Sequence, residues 1–425
     1  MSSFDRVIGY EAIKTELMQI CDMIKNREIY EELGAEMPKG ILLDGEPGLG
    51  KTLMANCFIE ESGLKAYTVR RKKGGDEFID ELTEAFENAK ANAPAVVLLD
   101  DMDKFANEDE NHNNPEEYVA VQACIDSVSR GEVFIIATVN ELYKLPDSLI
   151  RPGRFDRRIE LFRPVDDDAF RIISHYLSDK AIADDVNMDD LSKMISYSSC
   201  AELETILNEA AIIAGYRRKS QIGMCDLVQA ALKTEYKSPD NLNKVSHDEL
   251  RKCALHEAGH MVVAEAVFPG SIGLVSIRGS GRGASGGFTR RCRRLERRPH
   301  HILISLAGKA AVEMYCCSAP ASGCQPDIDC AFTHIREAIS ESATQGFGMV
   351  DVSNRYNGIS ESMNARSEAV VHAEMERYML KTRDILIRNR EFLEKAADAL
   401  MEEETLLFSD IKAIKESVNV VTVEI

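Results

Sequence analysis

This 425-residue chain is poor in three things. No apolar run approaches the roughly 18 residues that a membrane-crossing helix needs, and no signal peptide opens the chain. The expectation is a cytosolic protein with no membrane anchor. Basic charge is scarce: 51 Lys and Arg against 71 Asp and Glu leave a net charge of −20. That excludes nucleic acid as the principal ligand, because phosphate backbones demand a basic surface. The one basic run, Arg290 to Arg298, reads first as a solvated face. Cys-x-x-Cys pairs are absent among eleven cysteines, an odd count scattered through helical and apolar contexts, as expected of reduced thiols rather than a disulfide framework. Internal repeats are also missing, and Asn107–Pro115 is the only low-complexity tract.

What is present divides the chain. Short β-type runs at Gly40–Asp44, Ala95–Asp100 and Val133–Thr138 alternate with helical stretches, the pattern of a parallel sheet in an α/β domain. Residues 166–237 read as helical, a small lid. Ser238-Pro239-Asp240 marks a linker. Ser246 and Glu249 then form a capping box opening a helix that Pro269-Gly270 closes. A hairpin-like segment follows from Ile272 to Thr289, and the rest is helical to near residue 417. The expected division is 1–165, 166–237 and 238–425.

Two motifs carry chemistry. Gly45-Glu46-Pro47-Gly48-Leu49-Gly50-Lys51-Thr52 fits G-x-x-x-x-G-K-[ST] between a strand and a helix. Its backbone N–H groups would cradle the phosphates of ATP, Lys51 would reach the β/γ oxygens, and Thr52 would take Mg²⁺. The next strand run ends in Asp100-Asp101, where Asp100 would arrange Mg²⁺ and Asp101 polarise the attacking water. Asn140, ending the third run, suits sensing of the γ-phosphate. Arg151 and Arg154, in Arg151-Pro152-Gly153-Arg154-Phe155-Asp156, suit the role of fingers reaching a neighbouring subunit's phosphate.

His256-Glu257-Ala258-Gly259-His260 is the second motif. On a helix, residues four apart share a face, so both imidazoles converge on one point and Glu257 can reach a water there. This is the H-E-x-x-H arrangement of zinc peptidases, with Glu257 as general base. Two His leave a tetrahedral Zn²⁺ one protein ligand short, and the metzincin continuation fails because Val263 and Ala266 occupy its offsets. The glycine-rich Gly279–Gly287 run follows a strand but opens no helix, so it reads as a hairpin turn. Its flanking strands would hold an extended substrate by β-augmentation.

With Val7-Ile8-Gly9-Tyr10, Pro38-Lys39-Gly40 and Arg151–Asp156 added, the chain resembles the FtsH-type ATP-dependent zinc proteases over nearly its whole length. The resemblance implies an α/β AAA+ P-loop domain with a small helical lid, then a mainly α-helical zinc-metalloprotease domain. It implies a homo-hexameric ring whose sites borrow Arg151 and Arg154 from the adjacent subunit, polypeptide substrates, and nucleotide contacts from Ile8 and Gly9. It also implies the missing ligand: the family's T-G-x-x-x-D segment is matched by Ser322-Gly323-Cys324-Gln325-Pro326-Asp327, which assigns Asp327, with Asp329 as the alternative.

Three departures qualify the resemblance. The chain starts at the ATPase domain, where the family usually has transmembrane helices. Asp101 stands where Glu is usual, one methylene shorter. The family's aromatic-hydrophobic-Gly gripping triplet falls on Gly74-Gly75-Asp76 beside Arg70-Arg71-Lys72-Lys73, leaving Phe78 as the nearest aromatic. The reading is an ATP-dependent zinc endopeptidase. The alternatives are a remodelling ATPase with little proteolysis, or a peptidase whose ATPase domain mainly organises the ring.

Overall fold

A computed structural model describes residues 2–72, 74–107, 116–238, 245–279, 286–316, 321–340 and 361–424. Pro239 and Asp240 of the linker, residues 108–115 of the polar loop and residues 280–285 of the glycine run lie outside them. The chain forms two compact units, Met1–Asp179 with Tyr197–Thr205, and Lys180–Ser196 with Ile206–Ile425.

In the first unit, α1 (Glu11–Lys25) and α2 (Arg27–Glu32) precede β1 (Gly40–Gly45), α3 (Lys51–Ser62), β2 (Lys65–Val69), α4 (Asp76–Ala91), β3 (Ala95–Leu99), α5 (Glu116–Asp126), β4 (Val133–Val139), β5 (Arg157–Leu161) and α6 (Asp166–Leu177). The five strands pair in parallel in the order β2-β3-β4-β1-β5. Every residue of β3 and β4 is buried, as continuous apolar runs must be in a sheet covered on both faces. On α4, Phe78, Leu82, Phe86 and Ala89 recur at helical spacing and enter this core.

The second unit contains α7 (Met188–Met194), the greater part of α8 (Cys200–Tyr216), α9 (Met224–Thr234), α10 (His247–Val267), β6 (Ile272–Ser276), β7 (Phe288–Arg291), α11 (Arg298–Tyr315), α12 (Ala321–Ser340), α13 (Glu361–Arg388), α14 (Arg390–Glu403), β8 (Thr405–Leu407) and α15 (Phe408–Glu416). The capping box forms as expected: Ser246 Oγ accepts from Glu249 N while Glu249 accepts from Ser246 N. From Ala254 onward α10 is buried on nearly all sides, so it runs through the core as an apolar rod packed by α11 and α14. The hairpin also forms, with β6 antiparallel to β7. The all-helical expectation for the remainder is corrected by β8, which pairs with β6 and makes the sheet three-stranded, β7-β6-β8. None of the described helices is long and apolar enough to cross a membrane.

Candidate functional site: a phosphate loop and a metal centre

In the first unit, β1 delivers the chain into the loop and α3 carries it away. Gly45 has φ +149, and a Cβ there would lie 2.3 Å from Leu161 O, so only glycine fits between β1 and β5. Lys51 Nζ donates to Gly45 O (2.6 Å) and Glu46 O (2.7 Å), folding over the loop. Burial, offset only in part by Asp101 and its acidic neighbours, lowers its pKa. Thr52 Oγ1 donates to Asp100 Oδ1 (2.9 Å), joining the two expected Mg²⁺ groups. Thr138 Oγ1 donates to the same oxygen (2.9 Å) and accepts from Asp101 N (2.8 Å).

Asp101 sits in the left-handed region at φ 56. Its carboxylate accepts from Asn140 Nδ2 (3.0 Å) and pairs with Lys104 (2.6 Å) and Arg70 (3.4 Å). Burial would raise its pKa, but Lys104, Asn140 and Arg70 together hold it below the ordinary range. Asp101 and Asn140, expected in separate roles, are therefore in contact. Tyr10 N and the close-packed Gly9 both meet Asp168 Oδ1, and Ala201 N donates to Gly48 O (3.1 Å). Sequence reading missed this last contact, and its only signal is that Ala201 opens a helix. A cavity of about 660 Å³ opens beside the loop, lined by Gly45, Glu46, Leu49 and Asn140 among others.

The two arginines fare differently. Arg151 is exposed. Arg154, expected to reach a neighbour, is instead only 3% exposed. It is held bidentately by Asp126 (2.8 and 2.6 Å) and donates to Ser148 O. Three of its five N–H groups are engaged in this way, which ties it to its own unit. Asp156 accepts from Gly153 N (2.8 Å) and Lys39 N (2.6 Å), which explains why Pro38-Lys39-Gly40 and the arginine segment occur together. Phe78, the aromatic nearest the gripping triplet's place, is 1% exposed and packs on Phe105, with ring centroids 4.8 Å apart. The segment before it is clamped: Glu117, fully buried on α5, pairs with Arg71 (2.9 Å) and accepts from Gly75 N (2.7 Å).

In the second unit, His256 and His260 project from α10 toward Asp327 on α12. His256 Nε2 lies 3.1 Å from Asp327 Oδ2 and 3.0 Å from His260 Nε2, and His260 Nε2 lies 3.4 Å from Asp327 Oδ2. A tetrahedral zinc with bonds near 2.0–2.1 Å separates its ligand atoms by about 3.3 Å, so the triangle fits. His₂Asp with an open position also suits zinc chemically. This is the only such group among the described residues. Asp329, the alternative, is exposed and accepts from Gln325 Nε2 (2.9 Å) instead. Burial would raise the Asp327 pKa, but the two imidazoles pull it well below the carboxylate range.

Partners outside the ligands orient them. His260 Nδ1 meets Ile304 O at 2.6 Å, which leaves Nε2 for the metal. Cys324 Sγ lies 3.9 Å from His256 Nδ1, behind the ring and not among the ligands. At Gly308 on α11 a Cβ would sit 2.4–2.6 Å from His256 ring atoms, so the imidazole occupies the space a side chain would take. Glu257 is 4% exposed, its pKa raised by burial, and Thr289 Oγ1 on β7 donates to its Oε2 (2.8 Å). Ile304, Gly308 and Thr289 were not singled out in the sequence, because each comes from an element other than the helix it supports. The basic run is largely committed locally: Arg290 pairs with Glu235 (2.9 Å), and Arg293 lies over Phe268.

Comparison with known proteins identifies the family. Residues 41–163 match the ATPase family associated with various cellular activities (AAA). The ATP-dependent zinc metalloprotease FtsH 3 of Symbiobacterium thermophilum is 30% identical, over 97% of this chain and 71% of its own length. The ATP-dependent zinc metalloprotease FtsH of Streptobacillus moniliformis is also 30% identical, over 97% of this chain and 64% of its own. FtsH 3 of Synechocystis sp. is 28% identical over 97% and 72%. With a P-loop, an H-E-x-x-H helix and these relatives across nearly all of its length, this protein belongs to the FtsH family of ATP-dependent zinc metalloproteases.

Proposed function

We propose that the chain is an ATP-dependent zinc endopeptidase, with residues 1–165 as its nucleotide-binding part, 166–237 as a lid and 238–425 as its peptidase part. The observation that carries the reading is the triangle of His256, His260 and Asp327 with Glu257 buried alongside. Zn²⁺ held there would supply Lewis-acid polarisation of a water and of the substrate carbonyl. Glu257, its pKa raised by burial, is suited to take the proton of the attacking water and return it to the leaving amine. β7 is the outer strand of its sheet and carries Thr289 against Glu257, which supports backbone pairing with an extended polypeptide.

At the other site Lys51 and Thr52 would bind ATP and Mg²⁺ with Asp100, while Asp101 and Asn140 orient the attacking water. In a homo-hexamer Arg151 would reach the neighbour's phosphate and Arg154 would brace it. The working location is the cytoplasm. A second reading, a peptidase whose ATPase part mainly organises the ring, predicts casein digestion that does not need ATP hydrolysis.

Casein digestion separates these readings when wild type, Glu257→Gln and Lys51→Ala are assayed with ATP, with and without chelator. Glu257→Gln should lower cleavage by about 10²–10⁴-fold and leave ATP hydrolysis intact. Cleavage that survives that change sinks the peptidase assignment. Lys51→Ala should abolish ATP hydrolysis and casein digestion together; full digestion without ATP hydrolysis would favour the second reading.

A further inference from the structure

The edge strand β7 has two faces, and both are occupied. Side chains alternate along a strand, so Phe288 and Arg290 share one face and Thr289 takes the other. Phe288 stacks on Tyr236 just beyond α9, with ring centroids 4.4 Å apart. Arg290 pairs with Glu235 (2.9 Å) and donates to Ser196 O (3.0 Å). Tyr236 is itself fixed, its hydroxyl donating to Met194 O (3.1 Å). The strand is thus fastened from one side while Thr289 Oγ1 donates to Glu257 Oε2 (2.8 Å) on the other. Two residues before Thr289, Gly287 lets the chain lie directly on the glutamate: a Cβ there would sit 2.5 Å from both Glu257 Cγ and Ser276 O.

We infer that Thr289 is the positioning residue for Glu257, with Gly287 setting the distance at which it acts. Resting on the reading of Glu257 as the general base, the assignment adds what holds that base in place. A carboxylate has two oxygens. Thr289 engages Oε2, so one oxygen is held while the other is left to take the proton. The fastened face of β7 keeps this geometry from drifting with the strand.

The test uses the full-length protein, a short unstructured fluorogenic peptide and saturating Zn²⁺. Thr289→Val keeps the side chain's shape and removes its hydroxyl, and should lower kcat about 10- to 100-fold with KM, bound zinc and ATP hydrolysis unchanged. Thr289→Ser restores the hydroxyl and should recover kcat to within about threefold of wild type. Gly287→Ala should lower kcat by an amount similar to Thr289→Val. Wild-type kcat in Thr289→Val, an equal loss in Thr289→Ser, or loss of zinc in parallel with kcat would each overturn the inference. Glu257→Gln run alongside keeps the failures apart. If it still cleaves, the general-base reading is what has failed; if it is inactive while Thr289→Val is normal, only the role of Thr289 has.

Discussion

The two sites of this chain are prepared for their ligands in opposite ways. At the phosphate loop the charged groups are engaged with one another: Lys51 on loop carbonyls, Asp101 with Lys104, Arg70 and Asn140. ATP and Mg²⁺ would have to displace those contacts. At the metal centre the three ligand atoms already stand at coordination distances, with Ile304 O and Gly308 fixing the imidazoles. The difference follows from the chemistry. A nucleotide site must bind, hydrolyse and release, so a loop able to exchange partners serves it. A resident metal is held for the life of the protein and gains from ligands that need no rearrangement.

The strongest challenge to this contrast is Asp327→Asn. If the triangle is preorganised around a cation, losing its one anionic ligand should weaken zinc binding more than about 100-fold, beyond the cost typical of an outer-shell partner. Competition with a chelating dye would measure it, and unchanged affinity would return Asp329 to consideration. Gly308→Ala comes next. The added methyl collides with His256 from a rigid helix, and overpacking of this kind costs about 1–3 kcal/mol. A lower Tm and weaker zinc binding are expected together; a normal affinity would mean that the imidazole has room to move.

Proton linkage gives a gentler probe. Burial alone would lower the His256 pKa, but without metal Asp327 draws it from 6.5 up to about 10. The charged pair then stabilises the folded state fully below pH 6.5 and is lost as pH rises toward 10. Chelated protein should therefore lose thermal stability across that window relative to zinc-loaded protein, whose histidines are held unprotonated by the metal. Parallel pH profiles would show that the pair contributes nothing. The smallest effect is expected of Arg70→Ala. Exposed pairs are worth up to about 1 kcal/mol, so freeing Asp101 from Arg70 should raise ATP turnover by no more than about fivefold. A loss of turnover would show that Arg70 serves hydrolysis directly.

Much of both sites was legible because their chemistry is local. A phosphate loop requires glycines and a lysine at fixed offsets, and two histidines on one turn announce themselves. Strands β3 and β4 were equally plain, each a continuous apolar run. Strands β2 and β5 were not: Lys65–Val69 is half exposed, and Arg157–Leu161 alternates charge with burial, as edge strands do. In the sequence Phe78 stands out only as the aromatic nearest the gripping triplet's place, while its spacing with Leu82 and Phe86 already marks a core face. Arg154 needed Asp126, and Glu257 needed Thr289; partners that fold in from other elements leave no trace in a local pattern.

The strand at Thr405–Leu407 bears on the order in which the molecule is made. Ile277 N donates to Glu404 O (2.9 Å) and Ser276 Oγ meets Thr405 Oγ1 (2.9 Å), so β6 gains its second neighbour only from residues well downstream of the metal ligands. A two-stranded ribbon is marginal in water, and the sheet gains its third strand only once Thr405–Leu407 has been made. The sheet that presents Thr289 to Glu257 therefore reaches its full width only with residue 407.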